Sequence, residues 1–149
     1  MIVVTESIER LRLLCEIIPP LLEKITDSEF SFKPSPEKWS KKEILGHLID
    51  SATNNHHRFI RIQYEPEPLI SYDQNIWSSL NHHADTDRSQ LISFWTLYNK
   101  HLVHLLKFIP EENLRLNGST GNGELIPLHF YITDYIDHLE HHLRQLVTY

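Results

Sequence analysis

Asp137-His138-Leu139-Glu140-His141-His142-Leu143-Arg144-Gln145-Leu146 places three histidines within five residues, inside a segment that reads as helix. Leu139, Leu143 and Leu146 continue an apolar stripe begun by Leu128, Ile132 and Tyr135, so one face of this helix is built to be buried. His138 and His142 are four apart and project from one side, one turn above the other. Two imidazoles so placed can hold one metal ion from a single rigid element. Spacing alone leaves them as ligands or as solvated and capping side chains. His141 points about 100° away from both and reads as peripheral.

Pro127 suits the first turn of this fourth helix, where its missing N–H is not needed. Gly118 to Gly123 holds three of the chain's four glycines and reads as a turn-rich loop. The third helix opens at Asp87 with Gln90 at the capping-box position; Leu91, Phe94, Tyr98, Leu102 and Leu105 are expected in the core, and Pro110 closes it. The second helix has the strongest start signal. Ser40-Lys41-Lys42-Glu43 is a capping box, with Trp39 and Ile44 placed for a hydrophobic staple. The helix should run to about Gln63, and His47 lies beside its apolar stripe. The first helix starts at Thr5; Pro19-Pro20 is expected to kink or break it, with a short helical piece resuming at Leu21, and Phe30 to Lys38 reads as loop.

At 149 residues the chain is read as one domain, residues 1–149, large enough to bury a real core. A formal net charge of −6 argues against nucleic-acid binding. Cys15, the sole cysteine, excludes an intrachain disulfide and a thiolate zinc cluster, and its apolar surroundings make it a buried small hydrophobe. Met1-Ile2-Val3-Val4 is too short for a signal-peptide core, and no apolar run reaches transmembrane length. The expected location is the cytoplasm, with no membrane partner.

Four amphipathic helices in a chain of this size predict an all-α four-helix bundle. The link from the second to the third helix, residues 64 to 86, is long enough to return along the bundle, which gives an up-down-down-up order. Ligand levels agree. His47 lies about 10 Å into the second helix and His142 about 10 Å from the end of the fourth, depths that coincide if those helices are antiparallel. In an up-down-up-down bundle they would miss by roughly one to two turns. His47, His138 and His142 are therefore the candidate metal ligands. Three neutral imidazoles with an open fourth position suit a divalent ion: zinc or nickel, with iron or manganese as alternatives. Asp50, Ser51, Asp134 and Tyr135 are candidates to orient the rings. His101 and His104 form a rival pair read as surface residues. His82-His83 is expected in solvent, and Arg58, Arg61 and Arg144 are expected to be solvated.

Two blocks resemble the DinB/YfiT-like superfamily of small bacterial metal-binding bundles. One is Lys38-Trp39-Ser40-Lys41-Lys42-Glu43-Ile44-Leu45-Gly46-His47-Leu48-Ile49-Asp50-Ser51, similar to that family's Trp-Ser block leading to a histidine. The other is His138-Leu139-Glu140-His141-His142-Leu143-Arg144-Gln145, similar to its His-x-x-His-His block ending in Gln; Leu139 stands where the family often has aspartate. The resemblance implies an up-down-down-up bundle, often a homodimer, with His47, His138 and His142 on one divalent metal. It also implies a small-molecule substrate. Thiol-dependent S-transferases and a thiol-dependent isomerase are among the characterised relatives, which favours a low-molecular-weight thiol, with metal-dependent hydrolysis next. A non-catalytic metal or ligand binder and a dimerisation module are the alternatives.

Overall fold

The computed structural model describes residues 4–149, so the expectation about Met1 to Val3 lies outside the described residues. The α-helices are α1 (Thr5–Glu23), α2 (Asp27–Ser31), α3 (Lys41–Arg61), α4 (Gln74–Asn81), α5 (Arg88–Leu106) and α6 (Leu128–Leu146). The four long helices α1, α3, α5 and α6 surround one hydrophobic core; α1 and α3 each pack against both α5 and α6. Strands β1 (Asn117–Gly118) and β2 (Ile126–Pro127) add a two-residue antiparallel ladder before α6, an exception to the all-helical expectation. No helix among the described residues is long and apolar enough to cross a membrane.

The start of α3 forms as its sequence dictates. The Ser40 hydroxyl accepts from the Glu43 amide and the Glu43 carboxylate accepts from the Ser40 amide, closing the capping box. In α6 the whole expected stripe, Leu128, Ile132, Tyr135, Leu139, Leu143 and Leu146, is buried.

Three local expectations are corrected. The first helix is not broken at Pro19-Pro20, which lie inside continuous helix. The ring costs local hydrogen bonds, but Ile18 and Leu22 on either side are fully buried, and that packing holds the turn. Phe30 is not in loop: α2 forms because the Thr26 hydroxyl caps the Glu29 amide at 3.2 Å, and Phe30 enters the core. The buried face of α5 is also rotated. Phe94 is 47% exposed, while its neighbour Trp95 is fully buried, and the stripe runs through Leu91, Ile92, Trp95, Asn99, Leu102 and Leu106. Apolar residues on two sides of this helix made both phases legible.

Cross-links between helix ends set the frame for the site. Arg88 at the start of α5 donates to the Asp27 carboxylate at 2.7 Å and to the Glu23 carbonyl at the end of α1 at 3.2 Å. Arg10 in the first half of α1 donates to Glu140 in the second half of α6 at 2.6 Å. The link between α3 and α5 is ordered by α4 and by a 3₁₀ turn at His83–Asp85. His83, expected in solvent, is buried there. Its Nε2 sits 2.9 and 3.0 Å from the two carboxylate oxygens of Asp50 on α3. Gly46 makes the room, because a Cβ at that position would meet the His83 Cγ at 2.2 Å. Arg58 is likewise not solvated. It is half-buried, donates to Asn55 Oδ1 and to the Ile70 carbonyl at 3.1 Å each, and lies 5.1 Å from the Tyr131 ring centroid.

Candidate metal centre

His47 projects from the first third of α3, and His138 and His142 from the second half of α6, which pack together. The three side chains offer one nitrogen each, all within 4.8 Å of one another. His138 Nε2 and His142 Nε2 are 3.1 Å apart. Ligands about 2.0–2.1 Å from a tetrahedral ion stand roughly 3.3 Å apart, so this pair needs only a small opening to share one. The His47 ring centroid lies 5.4 Å from that of His138 and 4.9 Å from that of His142. His141 is exposed and outside the group, as expected from its helical phase.

The chemistry of the donor set fits a metal ion. His47 is 1% exposed, and neither of its ring nitrogens has a hydrogen-bond partner. A buried polar atom without a partner is costly, and an imidazole lone pair is satisfied by an ion as well as by a donor. Burial, then the neighbouring His142, His138 and His83, push the His47 pKa down to about 3. His138 is lowered chiefly by burial and by His142. Both rings are thus held in the neutral form that ligates. Gln145 Oε1 lies 3.0 Å from His142 Nδ1 and can only accept, so Nδ1 carries the proton and Nε2 keeps its lone pair toward His138.

The expected ring-orienting groups are mostly elsewhere. Asp50 is taken by His83 and by Asn81 Nδ2 at 2.9 Å; Ser51 accepts from Asn55; Tyr135 donates to Asn99 Oδ1 at 2.6 Å; Asp134 is exposed, one turn before His138, where its charge opposes the lowering of the His138 pKa. Trp39 instead reaches the triad, with its ring centroid 4.9 Å from that of His47. Trp39, Ile44, Pro34, Gln74, Asn75 and Gln145 line a cleft of about 410 Å³ that includes His142, so the triad borders an open space of small-molecule size. Glu37 and Lys38 are the other ionisable side chains on its wall. The buried His83–Asp50 pair is what the sequence reading missed. A lone mid-helix glycine, Gly46, one residue before a candidate ligand was the available signal.

The DinB superfamily profile matches residues 11–146. The chain belongs to the DinB superfamily. Among its DinB relatives, YfiT of Bacillus subtilis is 24% identical over 127 residues, 84% of this chain and 71% of YfiT. The YfiT structure, described as a probable metal-dependent hydrolase with an unusual four-helix bundle topology, superposes with a TM-score of 0.85 at 23% identity, covering 95% of this chain and 82% of YfiT. The mycothiol-dependent maleylpyruvate isomerase gives 0.80 at 14% identity, over 97% of this chain but 60% of the isomerase. The DinB-like protein YjoA of Bacillus subtilis gives 0.64 at 20% identity, over 95% of this chain and 87% of YjoA. These likenesses establish the four-helix-bundle fold.

Proposed function

We propose that this DinB protein is a metal-dependent enzyme acting on small molecules, with His47, His138 and His142 as ligands of one divalent ion. The observation that carries the proposal is the pair of buried, unpartnered nitrogens of His47 beside His138 and His142. Zinc or nickel suits three imidazoles, with iron or manganese next. A bound ion would supply the positive charge that holds a thiol as its thiolate or lowers the pKa of water. The protein's part is to keep the His47 and His138 rings neutral, to fix the His142 proton on Nδ1 through Gln145, and to shield His47 with the Trp39 indole. Transfer to or from a low-molecular-weight thiol is the favoured reaction. Metal-assisted hydrolysis is the second reading, favoured by the likeness to YfiT.

Metal analysis of the native protein and of His47→Ala, His138→Ala and His142→Ala tests the site; each variant should lose most of the metal and His141→Ala should keep it. Equal metal in all of them would leave a dimerisation module. Metal uptake with no turnover of thiol acceptors, esters or amides would leave a non-catalytic binder.

The helix order we infer is up-down-down-up. It is supported by Arg88 meeting the end of α1, by His83 seated on the start of α3 just before α5 begins, and by His47 facing His138 and His142. An experimental structure with α3 and α5 opposed would refute it. We further propose one domain over residues 1–149, acting as a homodimer in the cytoplasm. Limited proteolysis yielding two stable pieces, a monomer in sedimentation, or an envelope location on fractionation would each remove its part of that statement.

A further inference from the structure

We propose that His56 and His101 form a second divalent-metal site, on the side of α3 turned away from His47. His56 follows His47 by nine residues, which places it about half a turn round the helix and roughly 13 Å along it. The two sites therefore share no side chain.

The geometry is that of a prepared ligand pair. The His56 ring is half-buried and its Nδ1 lies 2.9 Å from the Tyr98 hydroxyl. Tyr98 is itself held, its ring stacked on Phe94 at 5.7 Å with 24° between planes. Phe94, displaced from the core, thus backs the group that orients His56. With Nδ1–H donated to Tyr98 Oη, the Nε2 of His56 carries the lone pair, the arrangement that metal-ligating histidines use. The exposed His101 on α5 presents its ring 5.5 Å from that of His56. Two imidazoles on one ion have ring centroids roughly 4.5–6.5 Å apart for N–metal–N angles between a right angle and a straight line. In the triad the corresponding separations are 4.6 to 5.4 Å. His104 is one turn on from His101 at 6.3 Å, and its ring meets Phe108 at 5.1 Å, so it stands at the edge of the pair.

The two donors that the geometry brings together, His56 and His101, are both imidazoles. That favours copper, nickel and zinc over magnesium and calcium. Two protein ligands, with water completing the shell, hold an ion less tightly than three.

Titration of metal-free protein with Ni²⁺, followed calorimetrically, tests this. Two steps are expected, one equivalent tight and one weaker. The weaker step should vanish in His56→Ala and in His101→Ala, persist in His104→Ala and in His142→Ala, and weaken about tenfold or more in Tyr98→Phe. The tight step should be unchanged in His56→Ala, His101→Ala and Tyr98→Phe. Absence of a weaker step in the native protein, its survival in either His56→Ala or His101→Ala, or its loss only in His104→Ala overturns the proposal. Loss of the tight step in His142→Ala bears on the triad alone, so failures of the two sites read separately.

Discussion

Gly46→Ala adds one methyl group to the middle of a helix, where alanine is favoured over glycine by about 1 kcal/mol. The structure reverses the sign. The new Cβ would stand 2.2 Å from His83 Cγ, 2.5 Å from Cδ2 and 2.6 Å from Cβ. Because the His83 Cβ is itself in the way, no rotation of the imidazole clears the clash, and the 3₁₀ turn must move off α3. Overpacking of this kind costs about 1–3 kcal/mol. Moving His83 also breaks its contact with Asp50, a buried carboxylate left with Asn81 alone, which costs about 1.5–3 kcal/mol more. Setting the helix gain against these terms leaves a net loss of about 1.5–5 kcal/mol. Urea unfolding of the metal-free protein, followed by circular dichroism, should show a lower midpoint with an unchanged slope. In a His83→Gly background all three clashing atoms are gone, and the same methyl should stabilise by up to about 1 kcal/mol. A neutral or stabilising Gly46→Ala in the native background, or equal effects in both backgrounds, would refute the reasoning.

Three further outcomes are expected. Zinc at one hundred times its dissociation constant should stabilise the protein by about 2.7 kcal/mol, raising Tm by roughly 5–10 °C, and chelator should reverse it; a Tm indifferent to zinc would contradict a folded-state site. Because the metal-free folded protein protonates His47 only near pH 3 while the unfolded chain does so near 6.5, the unfolded state holds more protons in between. Stability should therefore fall as pH drops from 6.5 toward 3, by up to about 1.4 kcal/mol per unit from His47, with His138 adding in the same direction, and His47→Ala should flatten the profile. An unchanged slope in that variant would sink the assignment. Trp95→Ala should cost about 3–5 kcal/mol and Phe94→Ala much less, by chemical denaturation, since only Trp95 is in the core; the reverse order would mean that α5 is turned as its sequence first indicated.

Where a local rule acted alone, sequence and structure agree. Ser40 and Glu43 lie three apart and close a capping box whatever else the chain does, and the α6 stripe has one apolar face and therefore one phase. The triad was legible for the same reason: His138 and His142 are fixed by helical spacing, and His47 lies at a matching depth. What failed depended on long-range packing. Phe94 and Trp95 both sit on apolar faces of α5, and only contact with α1 and α3 decides between them. His83 is polar, in a segment with two prolines, and nothing local says that Asp50, 33 residues earlier, is waiting for it. Pro19-Pro20 breaks a helix judged alone, whereas Ile18 and Leu22 hold it once buried.

Two histidines near the start of the bundle are buried to similar degree, and their contrast separates structure from function. His83 is satisfied: Asp50 receives its Nε2, Gly46 makes its space, and no ligand is needed. His47 is flanked in sequence by Leu45 and Leu48, both fully buried, yet neither of its ring nitrogens is paired. An unpaired buried polar group costs about 1–3 kcal/mol, and a leucine in the same volume would avoid that cost. A conflict of this kind, in a helix otherwise consistent in capping and pattern, is what the proposed metal role would account for. It follows that His47→Leu should stabilise the metal-free protein by about 1–3 kcal/mol while abolishing the added stability that zinc confers. Parallel urea titrations with chelator and with zinc measure both terms. A His47→Leu protein less stable than native under chelator would show that His47 contributes to the fold, and would remove the energetic argument for a metal there.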